Sequence, residues 1–218
     1  MRAVVVAGGE APPSGWLARQ LEDARLIVCA DSGWLACRAA GVLPHLLVGD
    51  LDSLPGEVVA NLPELVLGVR RYPSNKDRSD LHLALEELAL HWQGPVDILG
   101  ALGGRLDHAL FNLCSVLFLA HDLGLQARLI DPITEVYRLG QQPLELRHHQ
   151  GWHCSILPLS QQLHGVRLRG FLYALDGETL ARLETRGLSN RVDQAVASIS
   201  TEEGEGLVIL TRPDQHPC

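Results

Sequence analysis

The sequence predicts an α/β chain with two domains, a parallel α/β domain over residues 1–140 and an antiparallel β domain over residues 141–218. In the first part, short apolar runs alternate with helical patterns, and strand–helix–strand units at this spacing form right-handed crossovers in parallel sheets. In the second part, short β-like runs are separated by Gly, Pro, Ser and Gln, as in antiparallel sheets or sandwiches. A third observation, that several predicted strands end at acidic residues, indicates where the function lies.

Local signals place each element along the chain. Strands are predicted at 3–6, 26–30, 45–48, 65–69, 96–99, 127–130 and 136–139, and helices at 14–23, at 34–40, from Ser79 or Asp80 to about 92, and at 109–121. Ser32 is predicted to cap the second helix, and Gly41 to end it. In the second domain the predicted strands are 144–146, 154–157, 166–168, 192–199 and 206–210, and no helix is expected.

Charge and hydropathy argue against several classes of partner. The net charge is -8 and the basic residues form no cluster, which argues against nucleic acid and against anionic membrane surfaces. The apolar segment 110–120 is broken by Asn112 and Ser115 and is too short to span a bilayer. Residues 3–7 are too few for the core of a signal peptide. A small cationic molecule is the better match for this acidic protein.

The cysteines and histidines give no sign of a zinc site. The five cysteines, at positions 29, 37, 114, 154 and 218, are never spaced C-x-x-C. An odd and scattered set supports neither a disulfide framework nor a cysteine zinc site, and it predicts a reducing cytoplasm. The histidine-rich segment 148–153 straddles a predicted hairpin without the spacing of a closed site, so zinc is not favoured there either.

Asp50 and Asp52 follow directly on the predicted strand 45–48. In an extended segment, residues two apart point the same way, so both carboxylates are predicted to face one spot past the end of the strand. Two carboxylates about 4 Å apart repel by roughly 4 kcal/mol at the effective dielectric of a protein surface, and a bound cation removes this cost. Acidic, oxygen-only ligation is typical of Mg²⁺, and a solvated acidic turn is the alternative that this short motif leaves open.

Two further charged segments lie where predicted helices begin. The first, residues 75–80, contains Lys76, the one lysine among 18 basic residues. Helix N-termini attract anions, so Lys76 and Arg78 are candidates to hold phosphate, and Asp80 is a candidate metal ligand. The second segment is Gly103-Gly104-Arg105, where small residues let backbone amides approach an anion and the Arg fork suits phosphate. A charged loop and a glycine turn are the respective alternatives, and helix capping is the alternative for Asp107 beside His108.

The chain contains neither a P-loop nor the glycine fingerprint of dinucleotide-binding proteins. Four ordered motifs, together with a short element in the second half of the chain, instead resemble the thiamine pyrophosphokinase family. Ala30-Asp31-Ser32-Gly33 is similar to the family's A-D-G-G, Gly49-Asp50-Leu51-Asp52-Ser53 to G-D-x-D-S, Lys76-Asp77-Arg78-Ser79-Asp80 to K-D-x-[TS]-D, residues 100–108 to G-[AS]-x-G-G-R-x-D-H, and Leu188-Ser189-Asn190 to its S-N element. The resemblance covers nearly the whole chain. The chain departs from the family at Ser32, where glycine is usual, and at 212–218, where no Trp is present to stack on thiamine.

The resemblance implies a Rossmann-like, ATP-binding α/β domain, a C-terminal β-sandwich that binds thiamine, and a homodimer with the active site at the subunit interface. It also implies Mg²⁺-dependent transfer of pyrophosphate from ATP to the hydroxyethyl group of thiamine, which gives thiamine diphosphate and AMP. The implied Mg²⁺ ligands are Asp50, Asp52 and Asp80, and these residues with Arg105 and Asp107 are the implied catalytic set. The implied nucleotide-binding residues are Asp31, Ser32, Gly33, Asn75, Lys76, Asp77, Arg78, Gly103, Gly104 and Arg105, and the implied thiamine-binding residues are Asp107, His108, Ser189 and Asn190.

Other functions remain open at this point. The same phosphate chemistry serves a pyrophosphokinase for another primary alcohol, such as a hydroxymethylpterin. A sensor that binds nucleotide or thiamine without turnover is a different class, and a metal-dependent phosphohydrolase is a third. These functions differ in whether AMP forms and in whether its formation requires an acceptor.

Overall fold

The computed structural model describes residues 1–54, 56, 57, 59 and 68–213. The chain divides into two compact units, Met1–Pro132 and Ile133–Cys218. This division precedes the strand predicted at 136–139, which the sequence analysis assigned to the first domain. That strand pairs antiparallel with the last strand of the chain, and this long-range pairing places it in the second unit.

The first unit is a parallel sheet with helical crossovers. Its strands are β1 (Arg2–Val6), β2 (Ala24–Ala30), β3 (Leu46–Gly49), β4 (Val69–Arg71), β5 (Gly94–Leu99) and β6 (Leu125–Ile130), and its described helices are α1 (Ser14–Glu22), α2 (Gly33–Ala39), α3 (Asp80–Ala89), α4 (Leu106–Phe111) and α5 (Leu117–Asp122). The strand order is β6-β5-β1-β2-β3-β4, and every neighbouring pair is parallel, as predicted. Of the strand predicted at 65–69, residues 65–67 lie outside the described residues.

The strand order fixes where a ligand site can form. From β1 the chain adds β2, β3 and β4 on one side, and then returns to place β5 and β6 on the other side. The order of strands therefore reverses between β1 and β5, and ligands bind at the carboxyl ends of the strands beside such a reversal. Residues 3–6 of β1 are completely buried, which explains their continuous apolar run.

Two helix starts illustrate what local signals can and cannot determine. The hydroxyl of Ser79 accepts a hydrogen bond from the backbone N–H of His82 at 3.2 Å, so of the two residues predicted to start this helix, Ser79 is the cap and Asp80 is the first helical residue. The prediction that Ser32 caps α2 is wrong, because its hydroxyl instead donates to the carbonyl of Gly8 at 3.2 Å. A carbonyl from the neighbouring loop is a competing partner that no local pattern reveals.

The helix predicted at 109–121 begins earlier and is not uniform. Helix α4 starts at Leu106, and a π-helical turn, Asn112–Val116, joins it to α5. The side-chain amide of Asn112 donates to the carbonyl of Ala101 at 2.9 Å, at the end of β5. None of the described helices combines the length and the apolar character that crossing a membrane requires.

The second unit is a β-sandwich, and its described residues form no helix. Its strands are β7 (Thr134–Leu139), β8 (Leu144–Arg147), β9 (His153–Pro158), β10 (Gln162–Arg169), β11 (Leu175–Ala181), β12 (Asn190–Arg191), β13 (Val196–Ser200) and β14 (Gly206–Thr211). The strands β12-β9-β14-β7 pair antiparallel in one sheet, and β11-β10-β13-β8 pair in the other. Side chains from both sheets, such as Ile156 and Leu163, share one core.

Two strand predictions in this unit differ from the structure. Only the second half of the strand predicted at 192–199 is part of a strand, because β13 begins at Val196, and β12 ends at Arg191, before the predicted start. Strand β11 has no counterpart among the predicted strands. Only Leu180 of β11 is buried, and Gly177 interrupts the strand, so the segment lacks the apolar alternation by which strands are recognised. Its pairing with β10 stabilises it instead.

Candidate active site

A cavity of about 620 Å³ lies in the first unit at the carboxyl ends of the parallel strands. Its lining comes from the loops after β1, β2, β3 and β5, the start of α3, and the region of α4, and consists of Ala7, Gly8, Gly9, Glu10, Ala30, Asp31, Ser32, Asp50, Asp52, Ser53, Ser79, Asp80, Leu81, Gly100, Ala101, Gly103, Gly104, Arg105, His108 and Asn112. This is the edge at which the strand order reverses. All four motifs found in the sequence contribute residues to the lining, and the motif at 76–80 contributes Ser79 and Asp80.

Three carboxylates converge on one side of this cavity. Asp31, Asp50 and Asp52 each present an oxygen atom, and these atoms all lie within 4.8 Å of one another. Asp31 has a positive φ of 44°, a conformation that costs a non-glycine residue free energy and that concentrates at functional sites. Asp31 is 9% exposed, and within the described part of the chain its Oδ1 atom has no hydrogen-bond partner.

The reason that Asp50 and Asp52 converge differs from the one inferred from the sequence. Strand β3 ends at Gly49, and the intervening Leu51 has a φ of 68°, so the segment is not extended. The backbone N–H of Asp52 donates to Oδ1 of Asp50 at 3.3 Å, which closes a tight turn. The predicted meeting of the two carboxylates is found, but a left-handed turn around a buried leucine produces it.

Lys76 connects this cluster to Asp80. Its Nζ atom lies 3.1 Å from Oδ2 of Asp50 and 2.8 Å from Oδ1 of Asp80. Burial lowers the pKa of Lys76, but the hydrogen bonds that its ammonium donates to both carboxylates outweigh burial and leave its pKa above the usual value. Burial raises the pKa of Asp50. The hydrogen bonds from the Asp52 backbone N–H and the Lys76 ammonium have the opposite and larger effect, so that the pKa of Asp50 lies below the usual value. Both groups therefore stay charged at neutral pH.

The carboxylate cluster fits a hard divalent cation. All of its potential metal ligands are oxygen atoms. Oδ1 of Asp31 is buried without a hydrogen-bond partner among the described residues, and a bound cation would offset the cost of that burial. The cavity also leaves room for water and phosphate oxygens. Mg²⁺ is bound in this manner, by a few carboxylates together with waters and substrate phosphates. Among the described residues, this cluster is the one group of three or more potential metal ligands.

The glycine loop after β5 lines the same cavity. Gly103 and Gly104 have φ values of 81° and 68°, which only glycine adopts at low cost, so the loop depends on both residues. A side chain on Gly103 would collide with the carboxylate of Glu10, at 2.6 Å. Glu10 was not among the residues predicted from the sequence, although its position just after β1 was a usable signal.

Arg105 and Asp107 form an exposed ion pair. Nη2 of Arg105 lies 2.6 Å from Oδ2 of Asp107, and Nε donates to Oδ1 at 3.1 Å. The Arg105 guanidinium lowers the pKa of Asp107 to about 2. Arg105 and His108 both line the cavity, whereas the Asp107 carboxylate is held by Arg105 at a site that is more than half exposed.

The remaining predicted nucleotide-binding residues lie in different surroundings. Arg78 is not directed at the cavity lining but forms an ion pair with Glu86 at 2.6 Å. Asn75 and Asp77 are exposed in the same loop. Gly33 is buried, and a side chain there would lie 2.1 Å from the carbonyl of Val6, so its identity is explained by the close packing of α2 against β1.

The second unit has its own cavity, of about 340 Å³, and the two other predicted substrate-binding residues line it. Ser189 has a φ of 59°, and its backbone N–H donates to the hydroxyl of Ser155 at 3.1 Å. The side-chain amide of Asn190 bonds the backbone of Tyr173, which lines the same cavity. The remaining lining is mostly aliphatic, as is typical of sites for small organic molecules.

Comparisons with known proteins decide the family. The sequence matches the model of the thiamin pyrophosphokinase catalytic domain over residues 17–127, just over half of the chain, and that of the thiamin pyrophosphokinase vitamin B1 binding domain over residues 142–205. The chain belongs to the thiamin pyrophosphokinase family. The family recognised from the four motifs is thereby confirmed, as is the class of enzyme, thiamine diphosphokinase.

Individual thiamine pyrophosphokinases resemble the chain over most of its length. The protein from Bacillus subtilis (strain 168) is 26% identical over 210 residues, which cover 95% of this chain and 96% of that protein. Thiamine pyrophosphokinase 1 from Oryza sativa subsp. japonica is 25% identical, with 83% of this chain and 77% of that protein covered.

Solved structures of thiamin pyrophosphokinases have the same fold. The crystal structure from Geobacillus thermodenitrificans superposes with a TM-score of 0.84 at 25% identity and covers 99% of each chain. The crystal structure from Bacillus subtilis gives a TM-score of 0.85 at 24% identity and covers 98% of this chain and 100% of that chain. The predicted fold class, a parallel α/β domain followed by a β-sandwich, is confirmed.

Proposed function

We propose that the chain transfers the pyrophosphoryl group of ATP to the hydroxyethyl oxygen of thiamine and so forms thiamine diphosphate and AMP. One observation carries this proposal, namely that Asp31, Asp50 and Asp52 converge beside a glycine loop in a member of the thiamin pyrophosphokinase family. The family membership supplies the thiamine and the class of reaction. The carboxylates and the loop supply the chemistry that handling a polyphosphate requires.

The proposed cation is Mg²⁺. Asp50, Asp52 and Asp80 are the ligands assigned from the sequence. We propose Asp31 as a further ligand, because its oxygen lies within 4.8 Å of oxygens of Asp50 and Asp52, whereas Asp80 is not in this group and is bound by Lys76. When bound, the ion would neutralise negative charge on the pyrophosphoryl group that is transferred. In the proposed arrangement Lys76 holds Asp50 and Asp80 in place before the ion arrives.

The remaining residues of the first unit are assigned to the nucleotide. Phosphoryl-type transfer depends on in-line positioning and on charge neutralisation more than on covalent help from the protein. We assign the phosphates to the amides of Gly103 and Gly104, to Arg105, and to Lys76, which all lie in the cavity or bind its carboxylates. The reaction is proposed to use an aspartate as base or no base at all, and no histidine is needed for this step.

The thiamine is assigned to Asp107, His108, Ser189 and Asn190, and we propose that a homodimer forms the complete site at the interface of its subunits. The fixed positive charge of thiamine is compatible with the net charge of -8. We further propose that the protein works in the cytoplasm, where thiols are kept reduced, because the four described cysteines form no disulfide bond.

The proposed reaction is tested by following AMP. The purified protein is incubated with ATP and MgCl₂, together with thiamine, with a hydroxymethylpterin, or with no acceptor. AMP that appears only with thiamine, and that ceases to form in excess EDTA, is the expected result. AMP formed only with the pterin would identify the other pyrophosphokinase, release of phosphate without acceptor would identify a phosphohydrolase, and saturable binding without AMP would identify a sensor.

The shared site is tested by complementation. Asp52→Asn subunits are expected to be nearly inactive, and Ser189→Ala;Asn190→Ala subunits are expected to lose most of their activity when thiamine is kept well below the wild-type KM. If residues from two subunits complete each site, a mixture of the two variants regains activity through heterodimers. A mixture that stays as inactive as its components, while sedimentation shows that heterodimers form, would contradict the proposed interface.

A further inference from the structure

The segments 171–173 and 190–192 of the second unit are joined by hydrogen bonds, and the side chain of Asn190 continues this pairing. Phe171 and Val192 form an antiparallel bridge, and the backbone N–H of Leu172 donates to the carbonyl of Arg191 at 2.9 Å. At the next position the partner is a side chain, because Oδ1 of Asn190 accepts from the backbone N–H of Tyr173 at 3.1 Å. Nδ2 of Asn190 donates to the carbonyl of Tyr173 at 2.7 Å. The carboxamide thus takes the place of a peptide group.

These bonds use most of what the amide can offer. Oδ1 also accepts a hydrogen bond from the backbone N–H of Arg191 at 2.8 Å, so both of its lone pairs are engaged. One of the two N–H donors of Nδ2 is engaged as well. An amide committed in this way is poorly placed to recognise a ligand, whereas it fixes the backbone of Tyr173 from both sides.

Tyr173 is the residue that this arrangement positions. It is 65% exposed, although large aromatic side chains are usually mostly buried, and it lines the cavity of about 340 Å³. Among the described residues that line this cavity, it supplies the only aromatic ring, and Ile156, Leu168 and Leu180 supply apolar surface. An exposed ring on a backbone that is anchored beside an apolar cavity suits a flat aromatic ligand.

We propose that the ring of Tyr173 forms one wall of the thiamine subsite and that Asn190 acts as a positioning residue through Tyr173. This inference rests on the proposed function, which supplies a ligand with two aromatic rings. It assigns to Asn190 a role different from direct contact with the substrate. An anchored backbone at Tyr173 explains why an amide with nearly full hydrogen bonding lies beside the cavity, since less backbone freedom is lost when the ligand binds.

The test compares variants at Tyr173 in steady-state kinetics and in direct thiamine binding. Tyr173→Ala is expected to raise the KM and the Kd for thiamine about tenfold, because it removes both stacking and buried area. Tyr173→Leu, which keeps apolar bulk, is expected to show a similar loss, and Tyr173→Phe to stay near the wild type. The kcat and the KM for ATP are expected to change less than about twofold. Leu183→Ala, at a 93% exposed position of the same unit, is the matched control.

A double-mutant cycle separates positioning from direct contact. Asn190→Ala is expected to raise the KM for thiamine in the wild-type background, but to add little in the Tyr173→Ala background, because its effect is transmitted by the ring. Effects of the two substitutions that multiply would overturn the positioning role. Unchanged thiamine binding in Tyr173→Ala and Tyr173→Leu, with a wild type that forms AMP from thiamine, would overturn the proposed wall. A wild type that forms no AMP from thiamine would instead overturn the proposed function, and the inference with it.

Discussion

The ammonium nitrogen of Lys76 lies 3.1 Å from Oδ2 of Asp50, at a place where both side chains are nearly buried, with 13% and 12% of their surfaces exposed. The one lysine of the chain thus offsets part of the negative charge that Asp31, Asp50 and Asp52 bring together. A compact ammonium suits a position between two closely spaced carboxylates, which accounts for a lysine here in a chain that otherwise uses arginine.

Removing this ammonium should destabilise the protein in a way that Mg²⁺ corrects. Lys76→Met leaves two largely buried carboxylates without their cation, and we expect a loss of about 3 kcal/mol in the free energy of unfolding. Urea unfolding in EDTA measures it. In excess MgCl₂ the loss should be smaller, because a bound cation compensates the same charges.

Arg78→Met is the matched control for Lys76→Met. The ion pair of Arg78 with Glu86 is much more exposed, so we expect a loss below about 1 kcal/mol that Mg²⁺ does not alter. A Lys76→Met protein that is equally destabilised in EDTA and in MgCl₂ would show that the carboxylates do not bind the cation.

Loss of a single carboxylate should affect turnover more than thiamine binding. Asp52→Asn keeps the size of the side chain but removes one charge from the cluster, and we expect kcat for AMP formation to fall at least about 100-fold, as for the loss of one preorganised electrostatic group. Calorimetry should find a much smaller change in the Kd for thiamine. Asp122→Asn, at the exposed end of α5, serves as the control. A near-normal rate in Asp52→Asn would remove this residue from the metal site.

The contact between α2 and β1 should tolerate no side chain at Gly33. A Cβ atom there would lie 2.1 Å from the carbonyl of Val6, so backbone must shift. We expect Gly33→Ala to lower the free energy of unfolding by about 3 kcal/mol, the upper end of the usual cost of overpacking. Gly15→Ala in α1 meets no atom within 4 Å, and we expect it to be neutral or stabilising by up to about 1 kcal/mol. Equal stabilities of the two variants in urea would contradict this account.

Asp107 should titrate well below an ordinary aspartate. The pKa of about 2 in the folded protein, against about 4 in the unfolded chain, means that the native state binds the proton less tightly. The contribution of the ion pair to stability is therefore present above about pH 4 and is lost as the pH falls from about 4 towards 2. NMR titration of the Asp107 carboxyl carbon measures the pKa, and Arg105→Gln should return it towards the ordinary value. A wild-type pKa near 4 would show that the ion pair does not persist in solution.

Motifs and local patterns were sufficient for most of the architecture. The parallel order of β1, β2 and β3 and the sandwich of the second unit follow from apolar runs and turn residues, whose periods reflect backbone geometry alone. The acidic strand ends predicted the edge where the cavity lies, because parallel strands deliver their carboxyl ends to one side. The start of α3 at Ser79 or Asp80 was also predictable, since the capping hydrogen bond joins residues only three positions apart.

The failures share a physical cause, which is a partner distant in the chain. The hydroxyl of Ser32 was predicted to cap α2, but it donates a hydrogen bond to the carbonyl of Gly8 instead. Strand β11, which was not predicted, is stabilised by its pairing with β10. The local sequence around each segment does not indicate which distant partner it will pair with.

By itself, the sequence determined the family, the two kinds of sheet, and the residue types that the chemistry requires, because these depend on composition and on spacing along the chain. Only the tertiary structure decided that Asp31 joins Asp50 and Asp52, that Lys76 bridges to Asp80, and that Asn190 holds Tyr173. These relationships depend on distances of a few ångströms between segments far apart in the chain. Such distances are set by how buried strands and helices pack, and packing is a property of the whole fold.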